Sequence, residues 1–140
     1  MGACCKASGG HIFPDELSHP INEENLLNLI RTGLYAVDYW GNPPDDNSSE
    51  ASRLYYLRYR HKGIERILDN SRFLSCILLT PKGCSLSYLE RPRVCRELIP
   101  REDFNCQFES ESYSKISCAI EWQKYQYVII NVLKKLNELD

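Results

Sequence analysis

The hydrophobic positions along this chain change their spacing twice, and the changes separate a short helix, a series of strands and a final helix. Apolar side chains recur at helical spacing over Glu23–Arg31, directly after Asn22, a residue type that accepts hydrogen bonds from the first turn of a helix. Between positions 34 and 120, short segments rich in aromatic and β-branched residues alternate with turns. The pattern predicts one helix followed by about six or seven short antiparallel strands.

Two strand segments are the best defined, at positions 34–40 and 53–62. In the second segment side chains alternate between the two faces of the strand, so Arg58, Arg60 and Lys62 share one face. Shorter or less regular segments complete the predicted sheet, at positions 64–68, 72–80, 85–89, 104–108 and 115–120.

Positions 122–140 return to helical spacing and predict a long amphipathic helix. Its apolar side should be buried and its polar side exposed, the latter formed by Lys124, Lys134, Lys135 and Glu138. Helices do not alternate with strands, which argues against a parallel α/β fold. We therefore expect a single α+β domain, in which an antiparallel β sandwich or open barrel is closed by the C-terminal helix.

The first residues have the features of a lipid anchor. Gly2 follows Met1 and offers the amine that N-myristoylation uses, while Cys4 and Cys5 are placed for palmitoylation. One myristoyl chain binds membranes only reversibly, so a second chain is the usual means of stable attachment. Lys6 departs from the myristoylation consensus, which has serine or threonine there. The other interpretation is a frayed N-terminus with incidental cysteines.

Residues 1–20 contain Gly9, Gly10, Pro14 and Pro20 and show little periodicity, so we expect an acylated tether there and a folded domain at 21–140. The chain has no run of about 18 apolar residues and no secretory signal pattern. Membrane contact is therefore expected to come from lipid chains or from surface charge.

The seven cysteines form no C-x-x-C pair, so a structural zinc site is not expected. We also expect no other metal and no cofactor. The odd number of cysteines and the absence of a signal pattern favour a reducing, cytosolic setting in which the thiols stay free.

Charge is strongly segregated along the chain. Residues 1–50 have two cations against eight acids, residues 51–101 eleven against four, and residues 102–140 four against seven. The basic middle segment could bind a protein partner or anionic lipid, or could be a solvated sheet face. The candidate contact residues are Arg53, Arg58, Arg60 and Lys62. Nucleic-acid binding is not expected, because the pI is near 5.9 and the flanks are acidic.

Candidate catalytic residues are few. Of the three histidines, His11 and His19 fall in the predicted tether, and His61 is expected in a surface turn between two cations. No nucleophile elbow, metalloprotease motif or phosphate-binding loop is present. We therefore expect a protein that is not an enzyme. The alternative is a small thiol-dependent enzyme that pairs His61 with Cys106.

The predicted order of strands and one long C-terminal helix resembles a pleckstrin-homology-like domain. Together with Gly2, Cys4 and Cys5, it resembles the inner membrane complex sub-compartment proteins of apicomplexan parasites. The resemblance implies acylation at these residues. Phosphoinositide-binding relatives have a lysine in the first strand, which 34–40 does not provide, so the resemblance favours protein contacts.

These observations predict a lipid-anchored adaptor or scaffold on the cytoplasmic face of a membrane, which binds protein partners. Apart from the thiol-dependent enzyme, the alternative is a peripheral module that binds anionic lipid.

Overall fold

The computed structural model describes residues 9–40, 53–72, 74–99, 107–108 and 115–139, with backbone alone at 97–99, 107–108 and 115. They form an α+β domain in which a small antiparallel sheet packs against helices, and the C-terminal helix belongs to the core. No helix in these ranges is long and apolar enough to cross a membrane.

The central sheet has three antiparallel strands: β1 (His11–Ile12), β2 (Tyr35–Trp40) and β3 (Leu54–Tyr59), in the order β1-β3-β2. The register places Val37 opposite Leu57. Aromatic and aliphatic residues fill almost all of β3, and the side chains at 55–59 are all buried. A strand that is covered on both faces has this near-continuous apolar sequence. Both predicted strands are thus confirmed as elements, but the second one ends at Tyr59 and not at Lys62, which lies in a turn.

Two small hairpins accompany the sheet. One pairs β4 (Leu79–Thr80) with β5 (Gly83–Cys84), and the other pairs β6 (Leu98–Ile99) with β7 (Gln107–Phe108). The central sheet therefore has fewer strands than the expected sandwich, and the described residues do not close into a barrel.

Two of the predicted strands are largely missing between positions 64 and 80, where Leu79–Thr80 is the strand among the described residues. In place of the two predicted strands, this region makes one parallel bridge, Val37 to Leu68, and one antiparallel bridge, His61 to Cys76. The physical reason is local: the intervening residues 69–71 fold onto the sheet and bind its buried polar side chains, so they do not form an exposed turn. The strand predicted at 85–89 is also wrong, because that segment ends in the 3-10 turn Tyr88–Glu90.

Helix α1 (Glu23–Arg31) has the predicted bounds. The Asn22 side chain accepts a 2.8 Å hydrogen bond from the backbone N–H of Asn25. Gly33 follows the helix with φ of 82°, a left-handed conformation that glycine adopts without steric cost.

Three further helices follow: α2 (Arg93–Glu97), α3 (Lys115–Glu121) and α4 (Gln126–Lys135). The strand predicted at 115–120 is therefore wrong. Cys118 and Trp122 are four residues apart and both fully buried, which is the spacing of a helix face. Short 3-10 turns occur at Pro14–Glu16, Tyr88–Glu90 and Gln123–Tyr125.

The closing helix predicted at 122–140 is shorter than expected: a 3-10 turn at Gln123–Tyr125 precedes α4, which ends at Lys135, and α3 lies ahead of the predicted range. Its predicted burial is confirmed at Trp122, Ile129, Val132 and Leu133. The prediction for Glu138 is wrong, because its side chain is mostly buried and accepts a 2.9 Å hydrogen bond from the backbone N–H of Ile67.

The expected tether also needs correction. Residues 1–8 lie outside the described part of the chain, but from Gly9 onward the segment is folded. His11, Ile12 and Phe13 are buried, and the Ile12 carbonyl accepts a 2.7 Å hydrogen bond from Trp122 Nε1. A Cβ atom at Gly9 would lie 2.3 Å from the Tyr59 carbonyl oxygen, so this glycine permits close backbone approach.

Candidate functional site

The four candidate contact residues lie in different environments. Arg58 is fully buried, Arg53 and Arg60 are partly buried, and Lys62 is exposed. Alternation predicted that Arg58, Arg60 and Lys62 share one face of the strand. Their different burial shows that they do not form one exposed surface. Arg58 is not on the surface and cannot contact a lipid head group or a partner in the folded protein.

Arg58 sits at the centre of a buried polar cluster, which we define as Asp38, Arg58, His61, Asp69 and Ser71. Its Nε donates to Asp38 Oδ2 at 2.9 Å, and its Nη2 donates to Asp69 Oδ2 at 2.8 Å. Nη1 and Nη2 also donate to backbone carbonyls of Tyr59 and Asp69. Buried charges that are paired and hydrogen-bonded in this way avoid the large cost of an isolated buried ion.

Asp38 has further partners, which explains how a carboxylate is accommodated in an apolar strand. Its Oδ1 accepts a 2.7 Å hydrogen bond from the backbone N–H of Tyr39 and one of 2.5 Å from Asn70 Nδ2. The sequence interpretation overlooked Asp38, although a lone acid within an apolar strand is a signal that a cation must lie nearby.

The other half of the cluster has a defined proton arrangement. Ser71 Oγ donates its only proton to Asp69 Oδ2 at 2.7 Å, so the 2.8 Å contact from His61 Nδ1 to Ser71 Oγ places a proton on Nδ1. Burial alone would raise the pKa of the Asp69 carboxyl. Hydrogen bonds from Arg58 and Ser71 outweigh burial and hold that pKa below its ordinary value.

This arrangement differs from that of a serine hydrolase. A nucleophilic serine donates its proton to histidine, whereas Ser71 donates to a carboxylate and accepts from His61. His61 is buried rather than in the expected surface turn. Cys106, its proposed catalytic partner, lies outside the described residues.

The described cysteines include Cys118, whose thiol is buried and donates to the Ile12 carbonyl at 3.4 Å. Burial raises the pKa of this thiol, which disfavours the reactive thiolate. Within the described ranges, histidine, cysteine and acidic side chains form no group of three placed to hold a metal ion.

An open cleft of 760 Å³ lies next to the polar cluster and is lined in part by Asp69, Asn70 and Glu138. Arg53 also lines it and holds its guanidinium carbon 4.1 Å from the centre of the Tyr39 ring, a cation–π contact. Arg53 Nε is buried without a hydrogen-bond partner in the described structure. Of the predicted contact residues, Arg53 is thus the one placed in a cleft.

Arg60 and Lys62 lie at the C-terminal end of β3. Arg60 donates to the Gly33 carbonyl at 3.5 Å and to the Ile64 carbonyl, so its guanidinium joins the turns at this end of the sheet. Lys62 is exposed, with Nζ 2.5 Å from the Leu79 carbonyl oxygen.

The predicted lipidation residues Gly2, Cys4 and Cys5 lie outside the described residues. The direction from which the chain reaches the domain is nevertheless defined. Tyr59 N–H donates to the Gly10 carbonyl at 3.0 Å, and β1 runs antiparallel to β3. The N-terminal segment therefore enters the sheet from the C-terminal end of β3.

The fold and site together define a small α+β domain with a buried ionic cluster and an adjacent polar cleft. Comparison with family models, with curated proteins and with solved structures finds no match to this chain.

Proposed function

We propose that this protein is a lipid-anchored adaptor, held on the cytoplasmic face of a membrane by acyl chains on Gly2 and on Cys4, Cys5 or both. The observation that carries the proposal is the presence of these three residues directly ahead of a domain that is folded from Gly9 onward. The folded domain then presents its surfaces close to the membrane.

The energetics favour two chains. A myristoyl chain alone binds bilayers with an association constant of about 10⁴ M⁻¹, so a protein with this chain alone is bound only transiently. Each buried methylene of a palmitoyl chain adds about 0.8 kcal/mol, so the second chain determines how long the protein stays.

The cleft around Arg53 is the surface that best fits a protein partner. Arginine and tyrosine are enriched among the residues that dominate binding energy in protein interfaces, and here Arg53 already packs on Tyr39. Trp40, at the end of the same strand as Tyr39, is exposed. A pleckstrin-homology-like relationship to the acylated inner membrane complex proteins belongs to the same proposal, and the packing of the C-terminal helix against the sheet supports it.

The thiol-dependent enzyme is less well supported. The alternative pairs His61 with Cys106, but His61 is buried, and its Nδ1 proton is directed to Ser71. A non-enzymatic role agrees better with these two observations.

Substitution of the anchor residues tests the proposal. Gly2→Ala should release the protein to the cytosol, because it removes the first chain and the membrane visits that palmitoylation needs. Cys4→Ser with Cys5→Ser should leave a protein that exchanges quickly between membranes and cytosol. The measurements are membrane fractionation and the intact mass of the purified protein, and proximity labelling then compares the neighbours of the parent and Gly2→Ala proteins.

Ser8→Ala is the matched control, because it changes the same segment and leaves all three acyl acceptors in place. Gly2→Ala protein that fractionates with membranes as the parent does would contradict the two-chain anchor. Neighbours that are the same for both proteins would contradict an adaptor whose partners depend on the membrane.

A further inference from the structure

The exposed cations at one end of the sheet share that end with the entering N-terminal chain. We infer that this end is a second membrane contact, which binds the anionic head groups of the bilayer to which the acyl chains attach. The inference rests on the proposed anchor and adds to it an orientation of the domain. We call this the anchor-end surface and define it as Arg31, Leu34, Lys62 and Lys82.

Backbone hydrogen bonds define this end of the molecule. Gly9 lies against the carbonyl of Tyr59 on one side of β3, and Arg60 N–H donates to the Leu34 carbonyl at 2.9 Å on the other side. The end of β3, the start of β2 and the entry of the N-terminal chain therefore lie side by side. Lys62 is two residues beyond Arg60, in the turn that follows the His61–Cys76 bridge.

The other members of the anchor-end surface are placed by contacts with the same two residues. Arg60 donates to the Gly33 carbonyl, which brings the exposed Arg31, the last residue of α1, to this end. Lys62 Nζ contacts the Leu79 carbonyl, where the β4–β5 hairpin begins, and Lys82 is exposed at its tip.

The composition of the surface fits a membrane. This surface contains three exposed cations and Leu34, whose side chain is exposed although it is apolar. Glu65 is the nearest carboxylate along the chain from Lys62, and it lines the cleft next to Arg53 and Arg66. Cations can bind the anionic head groups, and an apolar side chain can insert at the boundary between head groups and acyl chains.

The length of the intervening chain keeps this surface near the bilayer. Cys5 and Gly9 are four residues apart, which span at most about 14 Å even when fully extended. Acylation of Cys4 instead adds one more residue. Attraction between a cation and anionic lipid acts within about one Debye length, near 8 Å at physiological ionic strength. The end of the domain where the N-terminal chain enters is therefore the end that comes within this distance of the bilayer without a large rotation.

Dissociation from vesicles tests the inference. The acylated full-length protein, purified from eukaryotic cells, is bound to vesicles of phosphatidylcholine alone or of phosphatidylcholine mixed with phosphatidylserine, and its rate of dissociation is measured. Lys62→Glu should speed dissociation from the mixed vesicles by at least about fivefold, since each cation near such a surface contributes about 1 kcal/mol. The triple variant with Arg31→Glu and Lys82→Glu should have a still larger effect.

Lys124→Glu is the matched control, with the same change of net charge. Lys124 is exposed beside Gln126, whose side chain binds both backbone groups of Tyr55 at the opposite end of β3. We expect this control to dissociate like the parent. We also expect all proteins to behave alike on phosphatidylcholine alone, and on mixed vesicles at 1 M salt, where the Debye length is about 3 Å.

The outcomes separate the two proposals. Intact masses without acyl chains would overturn the anchor itself. Acylated protein whose dissociation is equally fast for the parent and Lys62→Glu on mixed vesicles would overturn the anchor-end surface alone. Equal effects of Lys62→Glu and Lys124→Glu would also overturn it, because they would show a response to net charge without orientation.

Discussion

Arg58 and Lys62 lie four residues apart on one strand and its extension, and alternation places both on the same face, yet their environments are opposite. Arg58 is fully buried between Asp38 and Asp69, whereas Lys62 is exposed at the end of the sheet. The difference shows that alternation in a strand sequence identifies side chains that point to the same side of the sheet. Whether that side faces solvent depends on what the rest of the chain packs over it.

The largest expected effect comes from Arg58. Arg58→Ala leaves the buried Asp38 and the partly buried Asp69 without their closest cation, and we expect it to lower the free energy of unfolding by about 3–5 kcal/mol. Urea unfolding followed by circular dichroism measures this change. A loss below about 1 kcal/mol, the typical effect of an average substitution, would contradict the structural role given to the cluster.

A smaller effect, which disappears in acid, is expected from Asp69. Its pKa is lower in the folded protein than the ordinary value of 3.8, so its contribution to stability is present above that value and is lost as the pH falls through the folded pKa. Asp69→Asn lacks this contribution at every pH. The parent should therefore lose more stability than the variant between about pH 5 and the acid limit of unfolding measurements.

Glu65→Gln is the control for this comparison, because Glu65 is an exposed carboxylate. Parallel acid profiles of the parent and Asp69→Asn would show that the Arg58 and Ser71 hydrogen bonds do not act on Asp69 as described.

The smallest effect is expected from Lys62. Lys62→Ala removes an exposed side chain and one contact to the Leu79 carbonyl, so its free energy of unfolding should stay within about 0.5 kcal/mol of the parent value. The same urea experiment measures it. A large loss would place Lys62 with Arg58 as a structural residue and would remove the basis for treating it as a surface contact.

Local patterns predicted the parts of the fold that local forces determine. Glu23–Arg31 has its own cap at Asn22, and β2 and β3 consist of residues that favour strands, so all three could be predicted. Lys115–Glu121 could not, because its short alternating sequence satisfies either period and only packing of Cys118 and Trp122 against β1 decides it.

The site depends still more on distant residues. Asp38 and Asp69 are 31 positions apart in the chain and meet in the folded protein, where both bind Arg58. Sequence spacing carries no signal of that meeting. The sequence showed that the middle segment is rich in cations. Only the structure shows which of these cations lie in the core, in the cleft or on the surface.

The segment that Arg58 holds also covers an edge of the sheet. β2 is the last strand of the order β1-β3-β2, and its outward backbone groups at Val37 are bound by the carbonyl of Ile67 and the N–H of Asp69. At the next outward position, Asn70 Nδ2 donates to the Tyr39 carbonyl. Unpaired edges are templates for strand addition and aggregation. The ionic cluster therefore helps to keep neighbouring molecules from pairing with β2, which would matter most if the proposed anchor crowds copies on a membrane.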